Sequence, residues 1–406
     1  MMKEYLLYWM RMLKASVTGS RQYYLWLLFL LCVIGVGVGC YAYQMMHGFI
    51  VTNLDDNIPW GAYIANFTYI EGLAAAAVML VIPAYVYKIE SFKEVVVIGE
   101  LFAISAIIMC LLFVTVDIGR PDRFWHLLPY IGRLNFPHSL LAWDVVVLNG
   151  YLLINLHIPG YSLWQKYRGL KPKKIFYLPF LFVSMFWTMS MFTVTAFLYS
   201  GLGGRPFWNS AIVAPRFLAS ALSVGPCFIL LVLQLVEKFS EFRVPEEVYR
   251  LLKRFIPITL ILNLFLFGCE IFKEFYTDTQ HTASATYLFF GLDGYHMLVP
   301  YIWTALAFNF VSTIIFASRL SRHLVLVNIA AMLAIVGIWI EKGMGLIVPG
   351  FIPSPLGQMS EYTPSPVEIG VCAGIWAIGG LVLTLLLKAA LPIETGQLRM
   401  NRFTKR

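Results

Sequence analysis

The chain has 406 residues, of which 59% are hydrophobic and 13% are charged, and its formal net charge is +8. Soluble domains carry roughly a quarter charged residues, so this composition excludes an ordinary water-soluble domain and favours lipid as the solvent. Nucleic-acid binding is not indicated, because the basic residues lie in short runs between apolar stretches and not on one soluble face.

The N-terminal segment, residues 1–21, carries basic residues ahead of a long apolar stretch. A signal peptide has a shorter apolar region and a small-x-small cleavage site, so we predict an uncleaved first span. A helix needs roughly 20 apolar residues to cross the hydrocarbon, and the sequence predicts ten such spans. They lie near 22–46, 60–87, 94–117, 138–157, 175–200, 210–237, 253–275, 297–318, 323–342 and 367–388.

The loops between the spans predict an orientation. If the N-terminus is cytoplasmic, most of the 30 Lys and Arg residues fall on the inner side. Cytoplasmic loops typically carry such an excess, so we predict that both termini are cytoplasmic. The basic residues left to the outer segments are Arg120, Arg123, Arg133, Arg205, Arg216, Lys273 and Lys342.

The predicted fold class is all-α, a polytopic membrane protein whose helices form two bundles. Residues 22–200 are expected to form the first bundle of five spans and residues 201–388 the second, followed by a basic cytoplasmic tail at 389–406. The second and sixth spans share small residues mid-way and a basic inner end, as duplicated bundles would. The outer segments 117–137, 276–300 and 343–368 are rich in Pro, Gly and aromatic residues. They suit docking of another subunit, or they seal the helix ends.

Several ionisable side chains fall inside the predicted spans, where each is costly unless it is paired or hydrated. Glu71 lies roughly 16 Å and Asp144 roughly 9 Å below the outer ends of their spans, at about 1.5 Å per residue. Other acids are Asp117, Glu270 and Glu341 toward the outer side and Glu100 toward the inner side.

One buried arginine, Arg216, cannot neutralise six acids. It either locks helices together by pairing with Asp117, Asp144 or Glu270, or it leaves carboxylates free for proton chemistry, which we favour. Glu71 precedes Gly72 and a run of alanines that allow close helix approach or a water-filled gap. We predict a proton path along Glu71, Glu100 and Glu270.

Cysteine and histidine positions limit the redox cofactors. The cysteines fall in apolar stretches and form no C-x-x-C pair, which argues against an iron–sulfur cluster, structural zinc or a disulfide framework. The histidines fall in predicted loops or at span ends, whereas a transmembrane haem needs axial ligands at matching depth on facing helices. We therefore predict no metal, haem or cluster on this chain. If the protein handles electrons, a quinone is the redox partner that remains. The cysteines are Cys32, Cys40, Cys110, Cys227, Cys269 and Cys372, and the histidines are His47, His126, His138, His157, His281, His296 and His323.

Three segments carry a family resemblance. They read Trp60-Gly-Ala-Tyr-Ile-Ala-Asn66, Asp117-Ile-Gly-Arg-Pro-Asp-Arg-Phe-Trp-His126 and Phe136-Pro-His-Ser-Leu-Leu-Ala-Trp-Asp144. Over most of its length the chain resembles the NrfD/PsrC family of quinone-interacting membrane subunits. The late loop from Pro349 to Pro364 is similar to the ten-helix branch, most of all to its DsrP-type members; that branch also includes the HybB hydrogenase subunits and subunits of alternative complex III.

The resemblance implies a haem-free subunit in the cytoplasmic membrane of a prokaryote that binds menaquinone near the outer face. It also implies an outer ferredoxin-like iron–sulfur subunit, a multihaem cytochrome c and further membrane and cytoplasmic redox subunits, serving dissimilatory sulfur or sulfate metabolism. The matching positions for the quinone pocket are Asp117, Arg120, Arg123, His138 and Asp144, and Arg216 joins them by its depth.

We expect His138 and Asp144 to be the catalytic pair, because a quinone carbonyl needs a donor that can also deliver a proton. Arg120 and Arg123 have a simpler alternative role as loop anchors at the membrane interface. Three other functions stay open from the residues: a secondary transporter, a hydrogenase-linked quinone subunit of the HybB type, and a structural anchor for redox partners. Transporters typically have spans broken by Gly or Pro at the midplane, and that signature is faint here.

Overall fold

The computed structural model describes residues 2–128, 130–277 and 282–400. His281 and the basic residues Arg402, Lys405 and Arg406 of the predicted tail lie outside the described residues. In the described part the secondary structure is helical, apart from one isolated β-bridge between Leu292 and Tyr295. The all-α prediction is confirmed.

The helices follow one another in chain order. They are α1 (Met2–Val17), α2 (Arg21–His47), α3 (Ala62–Ala74), α4 (Ala76–Val81), α5 (Glu90–Lys93), α6 (Val96–Asp117), α7 (Leu140–Tyr167), α8 (Lys174–Ser200), α9 (Val213–Phe239), α10 (Glu246–Thr277), α11 (Thr282–Phe289), α12 (Val299–Ala317), α13 (Leu324–Trp339), α14 (Gly345–Ile347) and α15 (Pro366–Glu394). Two π-helical segments, Ile82–Val86 and Ile340–Met344, continue α4 and α13.

Ten helical segments of the described chain are long and apolar enough to cross a membrane, which confirms the predicted number of spans. The ends of two spans differ from the prediction by more than those of the others. The fourth span continues ten residues past His157 to Tyr167, because its inner end is amphipathic and packs its aromatic side chains against α1. The ninth continues from Lys342 to Phe351. The pair Glu341-Lys342 was therefore wrongly placed at an outer helix end, since both side chains are buried within the span.

The last span packs beside the first half of the chain. Helix α15 lies mainly against α2, α6 and α1, whereas the sequence grouped the tenth span with the sixth to ninth spans in the predicted 201–388 bundle. The approach of α2 to α15 is made possible by glycine: a Cβ on Gly374 would lie 2.7 Å from the Cα of Gly37. Small residues permit such contacts between membrane helices, where close packing supplies much of the association energy.

The loop before α15 is tied to the second span at the predicted outer side. Glu368 caps its own helix, accepting hydrogen bonds from the backbone N–H groups of Ser365 at 2.9 Å and Asn53 at 3.0 Å. Its other oxygen contacts the hydroxyl of Tyr362, which in turn accepts a hydrogen bond from Ala62 N at 2.9 Å. These bonds fix the helix ends around the polar interior described below.

Candidate functional site

Three helices of the first half bring two carboxylates and one hydroxyl together inside the protein. Glu71 on α3, Asp144 on α7 and Thr195 on α8 are 0%, 2% and 0% exposed. The Thr195 hydroxyl oxygen lies 2.7 Å from Oε1 of Glu71 and 2.9 Å from Oδ1 of Asp144. We call Glu71 and Asp144, with the Thr195 hydroxyl between them, the carboxylate pair. The sequence placed both acids within spans, and the structure joins them through Thr195.

The geometry of the carboxylate pair requires a shared proton. A threonine hydroxyl has one proton to donate and lone pairs with which to accept. It can donate to one carboxylate only, so the second hydrogen bond forms only if the other carboxyl group is protonated and donates to Thr195. Two buried carboxylates so close also cannot both ionise without a large electrostatic cost. The arrangement can therefore hold one proton and pass it between Glu71 and Asp144.

The polar contacts between α3 and α8 form a short ladder. One turn before Glu71, the hydroxyl of Thr68 contacts the hydroxyl of Tyr199, which lies one turn after Thr195. Tyr199 belongs to a buried aromatic group that includes Trp60, whose ring packs edge-on against it. The ladder thus runs from the carboxylate pair toward the predicted outer side.

Helix α3 ends just inward of Glu71, and this interruption frees a backbone group. The amide of Val78 bonds to the carbonyl of Ala75 at 3.0 Å, not to that of Ala74. The Ala74 carbonyl instead accepts a hydrogen bond from the hydroxyl of Tyr151 at 3.2 Å. Buried carbonyls are nearly always paired, and here a side chain supplies the partner. Tyr151 therefore adds a polar contact between α7 and α3 on the inner side of the carboxylate pair.

A buried lysine approaches the carboxylate pair from the second half of the chain. Lys342 lies on the π-helical segment Ile340–Met344, is 3% exposed and has no hydrogen-bond partner for its Nζ among the described residues. Its amine lies 4.3 Å from the ring centre of Phe217, and a Cβ on Gly72 would lie 3.5 Å from it. Single π turns inside α-helices are frequent at functional sites.

The second half of the chain holds a closed group of charged and amide side chains, which we call the arginine cluster. Arg216 contacts Glu270 and donates to Glu341 Oε1 at 3.2 Å. The amides of Asn263 and Asn309 donate to Glu341 Oε2 at 3.1 and 2.9 Å. The pairing of Arg216 with Glu270 was one of the alternatives that the sequence left open. Glu341 completes this cluster, although the sequence placed it at a helix end.

Glu100 lies alone on the predicted inner side. It is 1% exposed, and both of its carboxylate oxygens lack a hydrogen-bond partner in the described part of the chain. Two charged groups, Lys166 and Glu394, act on it electrostatically and contact each other at the inner ends of α7 and α15. Along α6, Glu100 is ten residues from Cys110, whose thiol packs against α3 near Glu71. That spacing separates Glu100 from the carboxylate pair by roughly 15 Å.

The predicted outer pocket residues are less closely grouped. His138 is exposed in the turn before α7, and its ring makes no hydrogen bond to another described residue, so the structure does not join it to Asp144. Arg120 and Arg123 are exposed, and Arg120 forms a two-pronged ion pair with Asp122 at 3.0 Å. This ion pair agrees with the simpler role of a loop anchor.

Asp117 ends α6 with one oxygen buried and without a partner among the described residues. Beside it, Gln44, Phe49 and Val116 line a crevice of about 10 Å³. A cavity of that size holds about one water, so a quinone ring would enter this crevice only if the helices moved.

Sequence reasoning missed Thr195, Tyr151 and Lys342. Thr195 and Tyr151 stand in apolar runs where hydroxyl groups usually bond to their own helix, and nothing in the sequence marks them as bridging residues. Lys342 follows a glutamate and precedes a glycine, which is the pattern of a helix end. One signal was available: an apolar stretch continues from Met344 to Phe351, long enough to extend the span. No group of three potential metal ligands occurs in the described ranges.

Comparison with known proteins shows similarity over nearly the whole chain. Residues 50–352 match the family described as polysulphide reductase, NrfD. A candidate membrane subunit of dimethyl sulfoxide reductase from Halobacterium salinarum is 25% identical, with 91% of each chain covered. The menaquinone reductase integral membrane subunit of Nitratidesulfovibrio vulgaris is 24% identical over 94% of each chain. The Hdr-like menaquinol oxidoreductase integral membrane subunit of Archaeoglobus fulgidus is 24% identical over 66% of this chain and 65% of its own.

Proposed function

Because the chain belongs to the NrfD family and is a multi-pass integral membrane protein, we propose that it exchanges electrons and protons with menaquinone in a respiratory redox complex. One similar protein is named as a subunit of a menaquinol oxidoreductase and another as a subunit of a menaquinone reductase. Electrons pass between the quinone and an iron–sulfur subunit on the outer face, with a multihaem cytochrome c in the same complex. The chain contributes the quinone site and the proton path, and its partners contribute the redox centres.

The observation that carries this proposal is the position of the Thr195 hydroxyl between two buried carboxyl groups. Reduction of one menaquinone to menaquinol takes up two electrons and two protons, and oxidation releases them. A quinone subunit therefore needs groups that hold and pass protons in a region that water does not reach. When Glu71 is protonated, its proton moves to Thr195 Oγ1 while the Thr195 proton moves to Asp144. The same steps in reverse return the proton.

The path toward the cytoplasm continues from the carboxylate pair through Tyr151 to Glu100. Tyr151 lies within electrostatic range of Glu100 and bonds to the carbonyl freed by the interruption of α3. Proton transfer along this line crosses part of the membrane field, so turnover would be electrogenic. The sequence assigned Glu270 to the proton path. In the structure Glu270 contacts Arg216, and we propose that the two residues neutralise each other's buried charge.

The quinone site lies at the outer end of α7, where His138 is exposed at the surface and Asp144 lies one and a half turns deeper. His138 donates a hydrogen bond to the carbonyl of a quinone that approaches from the lipid, and Asp144 exchanges protons with that quinone. Asp117 and the loop with Arg120 and Arg123 form the outer edge of this site. We propose a role in sulfur or sulfate metabolism, which the resemblance to DsrP-type subunits supports.

The test compares variants of the complex purified with its native partners and reconstituted in proteoliposomes with menaquinol. Glu71→Gln, Asp144→Asn and His138→Ala are each expected to lower menaquinol oxidation by about 100-fold, the usual contribution of a positioned acid or base. Asp56→Asn, an exposed acid on the predicted outer side, is the control and should retain the parent rate. Parent rates in the Glu71 and Asp144 variants would refute the proton path. A parent rate in the His138 variant would move the quinone site elsewhere.

A secondary transporter is the alternative that the interrupted helices keep open. Spans two and nine both contain irregular backbone next to buried charge, as transporter sites do. The two differ in what they move: a transporter would carry a solute across vesicles without redox partners, whereas the proposed subunit has no turnover without menaquinol and an electron acceptor. Solute uptake by the isolated chain would favour the transporter.

A further inference from the structure

The proposed proton path leaves the amine of Lys342 without a role. Burying an ammonium group is costly unless a negative charge compensates it, because the group loses strong hydration. Lys342 is buried, yet no carboxylate of the described chain forms a hydrogen bond or a closed ion pair with it. The rings of Phe217 and Phe192, at 4.3 and 5.8 Å from the amine, cover it on one side. A protonated amine at this position therefore needs a nearby group that supplies the compensating charge.

The charged and titratable groups facing this amine come from four elements. They are Glu71 on α3, Cys110 on α6, Arg216 on α9 and Glu341 on the π-helical segment itself. Arg216 repels the amine. Glu341 already accepts hydrogen bonds from Arg216, Asn263 and Asn309. Glu71 is the carboxylate with a buried oxygen, Oε2, that lacks a partner among the described residues.

The backbone explains how one segment serves both groups. Neighbouring side chains of a helical segment point to different sides of its axis, about 100° apart in an α-helix, and they diverge in the wider π turn as well. Glu341 therefore points toward the other members of the arginine cluster. Lys342 points toward α3, where its amine lies against Gly72, the residue after Glu71. The hydrogen bonds to Glu341 hold the segment in place and so fix the position of the amine.

We propose that Lys342 is the counter-ion of Glu71, a positioning residue that stabilises Glu71 in its deprotonated form after it has passed its proton to Asp144. This inference rests on the proposed function, in which Glu71 carries the proton. In the transfer step, the O–H bond of Glu71 breaks, an O–H bond forms on Thr195, and the former Thr195 proton binds Asp144. The negative charge thereby moves from Asp144 to Glu71, toward the ammonium group. Without Lys342 the charge on Glu71 would be unbalanced in a region of low dielectric constant, and transfer would slow.

The test uses Lys342→Met, which keeps the volume and removes the charge, and Lys342→Arg, which restores a charge. The control is Lys388→Met, because Lys388 also places its amine over an aromatic ring, Tyr23 at 5.3 Å, but far from the carboxylate pair. In the reconstituted complex, Lys342→Met should slow menaquinol oxidation by about 100-fold, as expected when a fixed charge aimed at a developing charge is removed. The KM for menaquinol should not change. Lys342→Arg should recover most of the loss, and Lys388→Met should match the parent.

The double variant Glu71→Gln/Lys342→Met separates this inference from a general structural role. If Lys342 acts through Glu71, the double variant should be no slower than Glu71→Gln alone, since effects within one unit are not additive. It should also assemble at least as well as Lys342→Met, because removing both charges leaves neither unpaired. A further loss of rate or of assembly in the double variant would overturn the inference.

Two other outcomes are also decisive. If Glu71→Gln is slow while Lys342→Met keeps the parent rate, the counter-ion role fails and the proton path stands. If Glu71→Gln itself keeps the parent rate, the proposed function fails. Infrared spectra give a readout that a packing defect would not move: the carbonyl band of protonated Glu71, identified as the band lost in Glu71→Gln, should grow in Lys342→Met and not in Lys388→Met. An unchanged band would contradict the counter-ion role.

Discussion

Replacing Thr195 by valine removes the bridging hydroxyl and keeps the shape of the side chain. The two contacts at 2.7 and 2.9 Å are lost together, and the oxygens of Glu71 and Asp144 are left without the bridge. A hydrogen bond to a charged group contributes about 1.5–3 kcal/mol. Since every 1.4 kcal/mol on a barrier is about tenfold in rate, losing one such bond in the transfer step predicts menaquinol oxidation slower by about 10- to 100-fold.

The assay is menaquinol oxidation by the reconstituted complex, with proton release measured in the same vesicles. Thr195→Ser keeps the hydroxyl and should recover most of the rate. Thr193→Val is the matched control, because the Thr193 hydroxyl is on the same helix but bonds to its own backbone, to Met189 O at 2.9 Å. The reasoning is refuted if Thr195→Val and Thr193→Val have the same rate, or if serine is no better than valine at position 195.

Two further predictions concern the parts of the fold that hold the site in place. In Glu368→Gln, an amide replaces a carboxylate that accepts hydrogen bonds from Ser365 N and Asn53 N, so the complex should lose about 1.5–3 kcal/mol of stability. Scanning fluorimetry should show a lower Tm with little change in the rate per folded complex. An unchanged Tm would show that these hydrogen bonds do not stabilise the fold. In Gly374→Leu, the new side chain would meet the backbone of Gly37 at 2.7 Å and separate α2 from α15, lowering the yield of assembled complex. Gly39→Leu is its control, because a Cβ on Gly39 would meet open space, and equal yields from both variants would show that this contact is dispensable.

The span count and the buried acids could be predicted because both follow from local properties of the sequence. A stretch of about 20 apolar residues can satisfy its backbone polar groups in lipid only as a helix, so length and composition suffice. An ionisable residue within such a stretch is recognisable for the same reason, and Glu71, Glu100, Asp144 and Arg216 were found in this way. The ninth span, which ends at Phe351, was predicted to end at residue 342, because a Glu-Lys pair before a glycine has the local pattern of a helix end.

The partners of these residues were decided by the tertiary structure alone. Thr195 meets Glu71 and Asp144 only because α3, α7 and α8 pack with those three positions at one depth, and helix packing depends on residues far apart in the chain. The same holds for Lys342, whose amine lies beside Gly72 only because the fold brings the second and ninth spans together. A sequence shows which side chains are costly in lipid. Only the packed helices show which group offsets each cost, because that compensation acts through space over a few ångströms.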